Sequence, residues 1–93
     1  MKLDMMAIYD QASRAFLPPF FVASEALAMR ELRDLSLKNP DHNFVRHADQ
    51  YTLFLLGDFD NETGLTTVKS SPSSLGTLQV IFNLRELPLQ MKE

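Results

Sequence analysis

The stretch Tyr51-Thr52-Leu53-Phe54-Leu55-Leu56-Gly57-Asp58-Phe59-Asp60-Asn61-Glu62-Thr63-Gly64 constrains the fold more than any other part of the chain. Its apolar run ends in Asp60-Asn61-Glu62-Thr63-Gly64, a short loop whose glycine can take the positive φ of a bulge-type hairpin. The stretch therefore reads as a buried strand entering a hairpin, with Leu65-Thr66-Thr67-Val68 as the return strand. Strict alternation puts Tyr51, Leu53, Leu55 and Phe59 on one face and Phe54 and Leu56 on the other. A half-covered strand alternates apolar with polar residues, whereas this one is apolar on both sides in its middle, the pattern of two-sided burial. A single helix cannot cover two faces. The second is left for the C-terminal segment or another subunit, which makes Phe54 and Leu56 candidate oligomer-interface residues.

The rest of the chain supplies partners for this strand. Met5 to Tyr9 alternates as a strand, Asp10-Gln11-Ala12-Ser13 is turn-forming, and Arg14 to Leu17 can return. Pro18-Pro19 cannot donate ladder hydrogen bonds, so it marks an edge or bend before Phe20 to Ala23 continue as strand. Ser24 is an N-cap, Glu25 suits the positive helix end, and Ala28, Met29, Leu32 and Leu35 form one helical face. Arg30/Asp34 and Asp34/Lys38 have i,i+4 spacing, and Asn39-Pro40 stops the helix. Asp41 to Gln50 is a polar connection anchored by Phe44-Val45. Residues 69–74 read as a Ser-rich linker. Leu78, Val80, Phe82 and Leu84 after it alternate as a strand; a helix capped by Ser73 or Ser74 is the other reading. Gly76 and the Val, Ile and Phe content favour the strand. Pro88 ends this segment and Leu89 to Glu93 should fray. The expected architecture is α+β: a small antiparallel sheet of three to five strands, in two hairpins, packed on one α-helix at about residues 24–38, all in a single domain spanning 1–93.

At 93 residues such a domain buries only about 60–65% of the surface of its unfolded chain, which leaves a narrow stability margin that oligomerisation can widen. The absence of cysteine excludes disulfides, thiolate metal sites and a cysteine nucleophile. No stretch approaches the roughly 20 apolar residues of a membrane span, and Lys2 and Asp4 are not followed by an apolar segment of signal-peptide length. Nine basic residues against twelve acidic ones, a net charge of −3, argue against a broad electrostatic grip on nucleic acid. A local basic face built from Arg14, Arg30, Arg33, Lys38 and Arg46 remains open, with Tyr9, Phe16, Phe20 and Phe21 as aromatic neighbours able to stack on bases.

Catalytic and metal-binding patterns fail on spacing. His42 and His47 stand five apart in a loop, not four apart on a helix, and read as solvated loop histidines. Asp58, Asp60 and Glu62 imitate a calcium loop, but counting from Asp58 puts Gly64 seventh and Lys69 twelfth, where the loop needs glycine sixth and glutamate twelfth. Glycines at 57, 64 and 76 form no phosphate-cradling loop, and there is no Gly-x-Ser-x-Gly elbow. The expectation is a non-enzyme with neither metal nor cofactor.

Several blocks in order carry a family likeness: Ile8-Tyr9-Asp10, Phe16-Leu17-Pro18-Pro19-Phe20-Phe21, Asn39-Pro40-Asp41, Arg46-His47, Tyr51-Thr52-Leu53-Phe54, Leu56-Gly57-Asp58-Phe59-Asp60 and Thr63-Gly64. Over about Met5 to Gly64 the chain resembles the small nonstructural protein of gokushoviruses, Microviridae phages with single-stranded DNA genomes. The resemblance implies a protein of the infected bacterium's cytoplasm, described as DNA-binding or as needed for single-stranded genome synthesis and packaging. It implies as partners single-stranded DNA, the phage replication initiator or the procapsid, and it supplies no catalytic residues.

Overall fold

The computed structural model describes residues 1–84. Its sheet is built on two long strands from opposite ends of the chain, β1 (Lys2–Asp10) and β4 (Tyr51–Asp60). They pair antiparallel from Lys2↔Asp60 to Asp10↔Tyr51. The outer edge of β1 is shared by two short strands, β2 (Ala15–Phe16) and β3 (Phe20–Val22), separated by Pro18-Pro19. On the other side β4 pairs with β5 (Thr66–Thr77), so the sheet runs β2/β3-β1-β4-β5, all antiparallel. The α+β expectation of a sheet on a helix holds.

Helix α1 (Glu25–Lys38) begins where the sequence marks it: the Ser24 hydroxyl accepts the Leu27 amide at 3.1 Å, and Asn39 closes the other end. Among the described residues the Arg30/Asp34 and Asp34/Lys38 spacings do not close into ion pairs; the only ones made there join the Met1 amine to Asp60 and Glu62. The polar connection contains a short helix α2 (Asn43–Arg46) and a 3-10 turn (Ala48–Gln50). Phe44 packs against the core and its ring meets Tyr51 edge-on at 4.9 Å, as an anchor should.

The C-terminal third differs from the sequence reading. Residues 69–74 are not a linker but lie within β5, and the segment read as a further strand turns into helix α3 (Leu78–Phe82). Its cap is Thr77, whose hydroxyl accepts the Val80 amide at 3.2 Å, rather than Ser73 or Ser74. The reason is tertiary: a helix puts both Leu78 and Ile81 into the core, each wholly buried, while Val80 stays exposed. The expected stop at Pro88 and the fraying of Leu89 to Glu93 lie outside the described residues.

One core lies between the sheet and the helices, made of Met6, Ile8, Val22, Ala28, Met29, Leu53, Leu78 and Ile81. Both α1 and α3 pack on this side, and the molecule is a slab of 39 × 37 × 21 Å. That thickness suits two layers, one sheet and one layer of helices.

Candidate interaction surfaces

Which side chains face away from the helices follows from the ladder register. Met6, Ile8, Leu53 and Leu55 point to the core. Alternation along β1 then sends Leu3, Met5, Ala7 and Tyr9 to the opposite face. Their cross-strand partners share it: Phe16 opposite Tyr9, Phe21 opposite Met5, Phe54 opposite Ala7 and Phe59 opposite Leu3. From β5 this face receives Thr66, Val68 and Ser74.

Among the described residues the face is aromatic and open. Tyr9, Phe16 and Phe54 form an edge-to-face triangle, with ring centroids 5.0, 5.3 and 6.4 Å apart, and Phe21 lies 5.5 Å from Phe59. Such pairs are worth about 0.5–1.5 kcal/mol each beyond the area they bury. Phe16 is still 44% exposed, Phe21 50% and Val68 68%. None of the residues placed on the face by the register is charged, although 23% of the chain is.

Phe59 reaches this face because of a bulge the sequence reading missed. Pairing steps from Met6↔Leu55 to Met5↔Gly57 and leaves Leu56 as an extra residue in β4. A bulge shifts the alternation by one, so Phe59 joins Phe54 instead of Leu53. Of the two interface candidates, Phe54 is on the open face. Leu56 is the half-buried bulge residue and does not pack against the core cluster. The signal was present in Gly57: glycine inside a strand marks a bulge or a close backbone approach. Both occur here, since a methyl at Gly57 would collide with the Thr67 carbonyl oxygen and come within 2.9 Å of the Val68 Cα.

The five candidate cations do not border the aromatic face as a group. Arg30 and Arg33 are one turn apart on α1, exposed and half-buried respectively, and Lys38 is its exposed last residue. Arg46 ends α2 beside a polar hollow of about 420 Å³ that also contains Ser36 and Asp49. These four belong to the helical layer, across the sheet from the aromatics. Helix α1 balances its three cations with Glu25, Glu31 and Asp34. Arg14 sits alone in the β1–β2 turn at φ 58°, where its amide donates to the Asp10 carbonyl at 2.8 Å. Phe20, grouped with the stacking aromatics by sequence, instead faces the core side and lines an apolar cleft of about 240 Å³ with Leu17, Leu32 and Phe44.

The titratable residues serve the architecture. His42 is half-buried rather than a free loop histidine: its Nδ1 accepts the Phe44 amide at 3.0 Å and caps α2. The Asp60 carboxylate accepts the Glu62 amide at 2.9 Å. That bond, with the Met1 amine, the Thr63 amide and Lys2 aiding, holds its pKa below the ordinary aspartate value against partial desolvation. Asp4 has the opposite shift. Burial first, and the Asp58 carboxylate opposite it second, push its pKa up.

Taken together, the described residues define a small two-layer α+β protein whose prominent surface is an uncovered, uncharged aromatic sheet face. No helix among them is long and apolar enough to cross a membrane. The phage ORF5 protein family model matches residues 3–81, and the chain belongs to that family. No curated protein and no solved structure matches it significantly.

Proposed function

We propose that this phage protein is a non-catalytic accessory factor of the gokushovirus type, serving single-stranded DNA genome synthesis and packaging in the cytoplasm of the infected bacterium through protein contacts made by its open sheet face. The observation that carries this reading is the separation of aromatics from cations. A single-strand binding groove interleaves stacking rings with basic side chains that track the backbone. Here the rings occupy one side of the sheet and Arg30, Arg33, Lys38 and Arg46 belong to the other. An apolar face without charge suits another protein surface, such as the replication initiator, the procapsid or a second copy.

Direct DNA contact is the second reading, favoured by one observation: among the described residues no Lys or Arg side chain is engaged in an ion pair. A mobility-shift titration with single-stranded DNA across salt concentrations separates the two. The expected outcome is no shift at moderate salt, for the wild type and for the Arg30→Ala, Arg33→Ala double variant alike. A shift that weakens steeply with salt and disappears in the double variant would establish phosphate contact and overturn the first reading.

A further inference from the structure

We infer that the open sheet face is covered by a second copy of this chain, face to face about a two-fold axis, giving a four-layer helix–sheet–sheet–helix dimer. The inference deepens the protein-contact reading by naming the partner, and it rests on that reading of the face.

Three observations select this occupant. The first is charge. Each copy carries −3 overall, so like copies repel unless the surfaces that meet are neutral. Among the described residues, the face formed by Leu3, Met5, Tyr9, Phe54, Phe59 and their neighbours is the large apolar surface that meets this condition. A nucleic-acid strand would need cations there and finds none among the register positions.

The second is the state of the sheet edges. Association through an edge needs a run of free backbone groups. Pro18-Pro19 breaks one edge between β2 and β3. On the other, β5 pairing jumps from Ser73 to Val68, leaving the four residues Lys69 to Pro72 opposite the single Leu56. A charged residue, a proline and a large bulge together spoil that edge as a template. Association is thereby directed to the face.

The third is size. Four strands spaced about 4.8 Å apart, with about nine residues at roughly 3.3 Å each, present a face on the order of 600 Å². Small specific interfaces start near 600 Å² per partner and standard ones bury about 800 Å². The face therefore supports a reversible, concentration-dependent dimer. Phe16 and Phe21 are its half-exposed anchors, and aligned sheet packing at about 10 Å separation can interdigitate them with the partner's rings.

Sedimentation velocity of the full chain over a wide concentration range tests this. The expected mass rises with concentration from 10.6 kDa toward twice that value. Phe16→Glu and Phe21→Glu, both at positions exposed enough to leave the fold intact by circular dichroism, should hold the chain at monomer mass throughout. Leu37→Glu, on the outer side of α1 and 78% exposed, should dimerise as the wild type does. A wild type that stays monomeric at every concentration overturns the inference, as does a folded dimer that survives both glutamate substitutions. A monomer that gains mass only when single-stranded DNA is added overturns it too, and also overturns the protein-contact reading. A monomer that captures purified procapsid or initiator through the same phenylalanines overturns the second copy alone.

Discussion

Asp4 and Asp58 face each other across the β1–β4 ladder, and like charges directly opposite each other weaken a sheet. Because the folded-state pKa of Asp4 is raised, the folded protein binds its proton more tightly than the unfolded chain does. Stability therefore falls as pH rises through the window between the ordinary aspartate value and the raised one, and the cost is fully present above it. Asp4→Asn should accordingly raise the denaturation midpoint at neutral pH, with the gain vanishing below pH 3.8, the ordinary aspartate value. Urea titrations of both proteins at several pH values check this; an equal gain at every pH would show that charge is not the cause. Nothing in the sequence pairs these two residues, because the pairing depends on a register between segments more than fifty positions apart. Asp10 and Asp60 are the opposite case. Each starts a turn whose carboxylate accepts the amide two residues on, from Ala12 and Glu62, and such local chemistry can be read directly from the sequence.

The elements were legible in proportion to how local their causes are. Helix α1 was readable to within a residue because Ser24, the apolar spacing and Asn39-Pro40 all lie in or beside it. Helix α3 was not, because Gly76 and the β-branched residues favour a strand locally while burial of Leu78 and Ile81 decides the matter. For β4 the existence and ends were readable, but the bulge inverted the face of Phe59. Gly57 is the control point of that bulge. Replacing it by alanine forces β5 away from β4 and should cost about 1–3 kcal/mol, the range of overpacked cores. Denaturant unfolding of Gly57→Ala measures this; a loss below about 0.5 kcal/mol would mean the strands separate without strain.

At the scale of the molecule, α3 ties the last described part of the chain to the first strand and the long helix through one core. Ile81 is wholly buried, so Ile81→Ala should cost about 2–4 kcal/mol through lost burial and a residual cavity. A domain of this length has on the order of 5–14 kcal/mol in total, and the melting temperature should fall by roughly 8–30 °C. A thermal melt unchanged by the substitution would remove α3 from the core. The candidate site was half legible at this scale. Two-sided apolarity in β4 marks a second apolar sheet face, and Phe54 lies on it. The basic cluster could not be judged, since residues spread from 14 to 46 acquire or lose a common face only through the fold.

The pairing of Lys2 with Asp60 also sets a timetable. As the chain is made, β1 emerges first, but the strand that completes its long ladder follows only about fifty residues later. At roughly 5–20 residues per second, Met6, Ile8 and Tyr9 wait about 3–10 s for β4. A sheet joined by such distant contacts then closes on a millisecond-to-second scale. Synthesis, rather than the conformational search, thus governs how long the apolar residues of β1 are presented to chaperones and other nascent chains.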